Sequence, residues 1–264
     1  MPTRSSRLNE TLEAMARALF RDWFVDFGPT GARMAGEAPY LSPDLWSLFP
    51  DRLDDAGKPE GWEVSTIGDE VRVVGGSTPS TKDPELWDFA FNWATPKDLS
   101  NLSAPVLLET GRRITKAGLA KINSGLLPVG SVLLSSRAPI GYLAIAELPV
   151  AINQGLIGMI CDKRISNVFA WLWTLENMEA ILSKASGSTF QEISKGNFRP
   201  LPVVIPNAAI LVAFDALTKP VFQRIAQNEK ESRTLAQTRD LLLPRLMSGE
   251  LRVAEVAYLA ERVL

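Results

Sequence analysis

An α+β body carried between long helices is the fold class this sequence predicts, and three observations predict it. The last fifth of the chain repeats a stripe at alternate spacings of four and three residues. The first 27 residues carry an apolar stripe of the same period. Between them run short apolar segments punctuated by Gly, Pro, Asn and Ser, the pattern of short mixed or antiparallel strands. At 264 residues, with 46% hydrophobic and 22% charged side chains, the chain has the composition of an ordinary globular protein and enough length for one sizeable core plus appendages.

In chain order, residues 1–27 read as a helix, regular from about 6 to 24. Its stripe is Leu8, Leu12, Met15, Leu19 and Trp23, with Ala16, Phe20 and Phe27 beside it. Residues 28–60, rich in Gly, Pro, Asp and Ala, read as a wrapping linker. It holds one short helix, with Ser42 as N-cap and Pro43 in the first turn. Residues 61–206 form the body. Strands are expected at 71–74, 132–135, 143–146, 156–160 and 201–205, and helices at 115–122 and 167–183, the latter carrying Phe169, Leu172, Leu175, Met178 and Leu182. Residues 207–251 form the C-terminal helices. Asn207 caps a first one with Ile210, Leu211, Phe214 and Leu217, which is expected to break at Pro220; residues 252–264 are a tail.

The final helix is a coiled-coil seam of Val221, Ile225, Asn228, Ser232, Leu235, Arg239, Leu242 and Leu246. Pro220 starts it and Pro244 kinks or ends it, leaving a straight rod of roughly 36 Å at ~1.5 Å per residue, about one turn of B-DNA. Asn228, Ser232 and Arg239 make the seam too polar to close alone, so it needs a particular partner helix. Leu12, Met15 and Leu19 are expected to pack against Ile225, Leu235 and Leu242, within the chain or between two copies, and a homodimer through these helices is expected.

Absences narrow the chemistry. The chain has no His, which removes histidine bases, Ser-His-Asp and Cys-His nucleophile systems and most zinc enzymes. Cys161 is the single cysteine, so neither an intramolecular disulfide nor a Cys-rich metal site is expected. Gly75-Gly76-Ser77-Thr78 lacks the Gly-Lys-Ser/Thr of a phosphate loop, and no Gly-x-Gly-x-x-Gly opens a helix. No Asp or Glu precedes a Lys by two residues, as in many metal-dependent nucleases. No catalytic residue, metal or cofactor is therefore expected. With no apolar N-terminal run, a cytoplasmic location is expected and no membrane partner. The net charge of −2 requires any nucleic-acid contact to come from local patches.

Four loops set polar side chains beside glycine: Ser77 and Thr78 at 75–79, Arg137 at 135–141, Asn153 and Gln154 at 153–155, and Ser188 and Thr189 at 187–190. Glycine lets backbone amides approach an anion, and Arg or Gln presents paired groups to a phosphate or a base edge. Basic residues cluster nearby: Arg112, Arg113, Lys116 and Lys121 without an acid among them, and Lys184, Lys195 and Arg199 around the fourth loop. Ordinary turn chemistry and a solvated charged face explain the same residues equally simply. Trp87 and Trp93 could stack on bases, although a Trp at a strand end more often anchors a loop or a core. Residue chemistry alone thus reaches a DNA- or protein-binding module with a helical spacer.

The order of the motifs is more specific. GGSTPS followed by Trp87 and Trp93, then ITKAGL, LLPVGSVLLSSRAPIG, AINQG, GSTFQEISK and RDLLLPRLMSGEL resembles the DNA-specificity subunit of type I restriction-modification systems. The N-terminal LNETLEAMARALFRDWFVDF and the linker from LFPD to GWE resemble that family's central conserved region. Members carry two target-recognition domains separated by conserved helices. This chain has one such domain and looks like the second half of a subunit. The resemblance implies double-stranded DNA as a partner, read at one half of an interrupted sequence. It also implies docking of methyltransferase subunits and, through them, of the restriction subunit, with no catalysis by the chain itself. A scaffold that binds the methyltransferase without reading DNA is the alternative.

Overall fold

The structure, a computed structural model, describes residues 4–187 and 191–250. Helices α1 (Arg4–Phe24), α2 (Gly28–Met34) and α3 (Pro43–Trp46) lead into the body. The body runs through β1 (Glu63–Thr66), α4 (Ile67–Glu70), β2 (Arg72–Gly75), β3 (Trp87–Ala94), α5 (Pro96–Ser100), β4 (Val106–Leu107), β5 (Arg112–Ile114) and α6 (Lys116–Leu119). It continues through β6 (Val132–Ser136), β7 (Ile140–Ala146), β8 (Val150–Ile152), β9 (Leu156–Ile160), α7 (Asn167–Glu176), α8 (Met178–Ser183), α9 (Lys195–Phe198) and β10 (Pro202–Ile205), and α10 (Ala208–Met247) closes the described chain.

A five-stranded sheet, ordered β2-β9-β6-β7-β4, is the centre of the body; its pairs are antiparallel except β4 with β7. β6 and β9 are buried along their whole length; β9 and the first three residues of β6 are apolar, and buried Ser135 bonds the Pro139 carbonyl and Tyr142 N, both at 2.8 Å. Alternate residues serve two cores. Val132, Leu134, Ile157 and Met159 join the helical core, whereas Leu133, Leu156 and Ile160 pack with Leu107, Val150 and Ile152. A second sheet, β5-β3-β8, is antiparallel on one side and parallel on the other, and β1 pairs with β10.

The helical core is aromatic. Phe20 meets Phe169 edge-on at 5.1 Å, Phe24 meets Phe214 at 4.9 Å, and Trp23 meets Phe49 at 4.9 Å. The C-terminal half of α1 is therefore part of the body's own core instead of appended to it.

Helices α1 and α10 run antiparallel, with Phe20 near Phe214 and Asn9 against Asn228 at the other end. Leu12 packs with Val221, Ile225 and Ala226, Ile225 is 0% exposed, and Leu19 lies against the main core. The partner that polar Asn228 demands is found within the chain: its Nδ2 donates to Asn9 Oδ1 at 2.7 Å, and Asn9 Nδ2 donates to Glu229 at 3.1 Å. Two expected packing residues lie elsewhere. Met15 is 60% exposed and Leu235 is 70% exposed, because Met15 turns off the contact stripe and Leu235 lies beyond the reach of α1, whose Asn9 already faces 228–229. Leu242, two turns beyond Leu235 on α10, is half-buried but lies past α1 as well.

Both prolines fall inside α10, contrary to the expected break at Pro220; at Pro244, expected to kink or end the helix, the helix continues to Met247. Burial on both sides carries the helix through Pro220: Phe214, Thr218, Phe222 and Ile225 all face the core, and Thr218 Oγ1 bonds the Phe214 carbonyl at 2.8 Å. These contacts offset the roughly 3 kcal/mol such a proline costs. Pro244 stands one turn before the end, and the helix closes through Ser248 N to Pro244 O at 2.9 Å and Gly249 at φ 75°. The expected helix over 167–183 is two, α7 and α8. Asn177, at φ −94° and ψ 16°, interrupts it and sends its amide to the Trp173 carbonyl at 2.9 Å. α2 was not expected within 28–60, and Ser42 stands at the N-cap of α3 without a side-chain cap bond.

Candidate nucleic-acid interface

The central sheet positions the polar loops. β2 and β6 end, and β9 begins, on the same side of the antiparallel trio, so the loops at 75–79, 135–137 and 153–155 must meet there. Ser77 N donates to the Ile152 carbonyl at 3.1 Å, Thr78 Oγ1 bonds Gln154 Oε1, and Ser136 N reaches the Gly155 carbonyl at 2.8 Å. Asn153 Oδ1 accepts from Gly155 N at 2.9 Å and shapes the turn. Gly76 is required: a Cβ there would lie 1.9 Å from the Ile152 carbonyl oxygen. Ser77 Oγ also donates to the Lys121 carbonyl at 3.1 Å, while the Lys195 side chain lies across Gly75. Much of the polar chemistry of Ser77, Thr78, Asn153 and Gln154 is thus used to hold the loops to one another.

Arg137 forms an ion pair with Glu192 at 3.7 Å, and the same two residues share a backbone bridge. This ties the 135–141 loop to Glu192, which follows the 187–190 segment. Ser188 and Thr189 lie outside the described residues.

Beside these loops, β3 and β5 make an antiparallel ribbon. Trp93 is 3% exposed and its indole nitrogen donates to the Ser77 carbonyl at 3.2 Å; Trp87 donates to the Ser80 carbonyl at 3.0 Å. Both tryptophans are loop anchors, and Trp93 is not open to a base. Their rings meet at 4.9 Å and 83°, and the Arg112 guanidinium lies 3.5 Å from the Trp87 centroid and 5.4 Å from that of Trp93. Thr115 caps α6, whose Gly118 packs so closely on the Leu86 carbonyl that a Cβ would come within 2.3 Å. Arg112, Arg113 and Lys116 are exposed and form no ion pair with any described residue, in contrast to Arg137. Unpaired cations on a fixed frame are the usual means of engaging phosphates.

The site has a feature its sequence did not announce. Trp87 and Phe91 both register on Ile114, so residues 88–90 bulge out of the ribbon. Phe89 stands at the apex, 83% exposed. Aromatic residues at 87, 89, 91 and 93 alternate as a strand requires, and that alternation was the available signal for β3.

A sequence model of the type I restriction modification DNA specificity domain matches residues 59–227, from the start of the body into α10. This chain belongs to that family. The specificity subunit of the type I restriction enzyme MjaIX of Methanocaldococcus jannaschii is 38% identical over 173 residues, covering 62% of this chain and 40% of that protein. The HindI specificity subunit of Haemophilus influenzae is 25% identical, covering 94% of this chain and 63% of that protein. This chain thus spans about two fifths to three fifths of these relatives' lengths. The type I restriction-modification S subunit from M. genitalium shares the fold at a TM-score of 0.53 and 15% identity, over 92% of this chain and 58% of that one.

Proposed function

We propose that this chain is a non-catalytic specificity component acting in the cytoplasm, which reads one half of an interrupted double-stranded DNA sequence and holds methyltransferase subunits around it. The observation that carries the reading is a set of exposed cations, Arg112 and Arg113 on the ribbon and Lys116 at the start of α6, that form no ion pair among the described residues and stand on a frame fixed by buried tryptophan and the converging loops. Family membership supports the same reading. The body is also coupled to the spacer by charge: Arg233 pairs with Glu109, Lys230 with Glu147 at 2.9 Å, and Glu229 accepts from Ser103 at 3.3 Å and from Asn9. A change in the spacer's direction would carry the ribbon with it.

The last turns of α10, beyond Arg233, carry exposed Leu235, Leu241, Leu243 and Met247. We assign these to pairing with a second copy, which would bring two recognition domains to one duplex as a homodimer. Arg112→Ala and Lys116→Ala should weaken binding to all duplexes and flatten its salt dependence by about one unit of slope per lost phosphate contact. Unchanged affinity at both low and high salt would move the interface away from this ribbon.

A further inference from the structure

Resting on that reading, we infer that Phe89 is an apolar wedge that enters the base stack, carried into the duplex by the 88–90 bulge. Single exposed hydrophobic residues are common and by themselves indicate nothing. Phe89 differs in how the chain presents it. The bulge removes it from the face shared by Trp87, Phe91 and Trp93, which pack together with Ile114. A regular strand would have returned Phe89 to that cluster; here the backbone departs from the ladder and leaves a large ring in water.

The base of the bulge is rigid on both sides. Trp87 is held by its indole bond to Ser80 and by the Arg112 guanidinium above it, while Phe91 resumes pairing with Ile114. Arg113 reaches the Phe89 backbone carbonyl at 3.5 Å, so a cation stands at the base of the bulge. An open cleft of about 570 Å³ lies beside it, bounded by Trp87, Asp88, Thr110, Arg112 and Arg113. Arg112 and Arg113 are matched to phosphates, and Asp88 adds an acceptor suited to the exocyclic amine of cytosine or adenine. A projecting aromatic flanked by unpaired arginines is the arrangement by which apolar wedges unstack a base step while neighbouring cations hold the backbone. A protein partner seated on this bulge would find two unpaired arginines beside the ring, which a phosphate backbone satisfies directly.

The test uses the whole chain, alone and with the modification subunits of its system, and Phe89→Leu and Phe89→Ala beside the wild type. Duplexes selected from a randomised library by the wild type carry 2-aminopurine at one adenine position at a time. The wild type should brighten the probe at one step only, Phe89→Leu should retain the signal, and Phe89→Ala should abolish it. Phe89→Ala should also bind about tenfold more weakly, the scale of one lost base–aromatic contact, with an unchanged salt slope because no charge is altered. Equal melting temperatures would show that the variants fold, as expected for an exposed side chain. The inference is overturned if no position brightens with the wild type, or if Phe89→Ala matches the wild type in affinity and signal. It is also overturned if Phe89→Ala loses only its hold on the modification subunits. A wild type that binds no duplex in either setting would remove the DNA reading itself, and is distinguished from these outcomes by the absence of any shift.

Discussion

Asn228 and Asn9 lie 3% and 2% exposed between α10 and α1, and the bond from Asn228 Nδ2 to Asn9 Oδ1 is 2.7 Å long. Replacing Asn228 by Leu removes that bond and leaves the Asn9 oxygen enclosed without a donor, at a cost of roughly 1–3 kcal/mol. Asn9→Leu strands the Asn228 amide and also deprives Glu229 of its 3.1 Å donor, so its cost should be at least as large. The double variant Asn9→Leu/Asn228→Leu closes the seam with two apolar side chains and strands neither amide. Its stability should return near the wild type or exceed it, giving a coupling energy equal to the two single costs together, roughly 2–6 kcal/mol. Urea unfolding followed by tryptophan fluorescence measures this: a 2 kcal/mol loss moves the midpoint by about 0.7 M at an m-value near 3 kcal/mol/M. Additive effects in the double variant, or single variants within about 0.5 kcal/mol of the wild type, would refute the claim that each of these buried amides depends on the other.

Leu235→Asp should leave the melting temperature of the body unchanged, since Leu235 is exposed in the chain, and should convert a dimer to a monomer in light scattering; an unchanged mass would place the dimer contact elsewhere. Burial alone would raise the pKa of Glu70, but hydrogen bonds from Arg164 and Ser65 and the Arg164 charge outweigh it and hold the carboxyl below the ordinary glutamate range. A folded pKa below the unfolded one adds stability that is fully present above about pH 4.3 and is lost as pH falls through the folded value. Arg164→Met should therefore cost about 1.5–3 kcal/mol at neutral pH, towards the lower figure because the guanidinium is half-exposed and screened. The difference from wild type in chemical denaturation should shrink below pH 4. Inserting one heptad into α10 beyond Arg233 adds about 10 Å at ~1.5 Å per residue. In a dimer paired through those turns, binding to a library of variable spacers should shift by roughly three base pairs with the half-sites unchanged.

Apolar runs that are buried on both faces were legible in the sequence: β6 and β9 need no partner information to be seen as strands, and Asn207 announces the start of α10. β8 and β5 were not, because a three-residue strand carries too little periodicity and is defined by its pairing with β3. Pro220 misled for a related reason: a local helix breaker is overruled by Phe214, Thr218 and Phe222 on a distant core. In the candidate site, the glycine-flanked loops at 75–79, 135–141 and 153–155 were legible as loops, but their convergence depends on the order β2-β9-β6. The ion pair of Arg137 with Glu192 and the stacking of Arg112 on Trp87 are tertiary contacts that do not follow from residue type. Phe89 was hidden because alternation assigns it to the same face as its aromatic neighbours, and only the register slip on Ile114 turns it outward.

Sequencing the duplexes that this chain retains from a randomised library, in the presence of the modification subunits of its system, tests the central claim most directly. The account predicts enrichment of one short sequence repeated across a fixed gap, with the gap unchanged and overall affinity reduced in Arg112→Ala. Retention of duplexes with no enriched sequence, or of none above background, would contradict it.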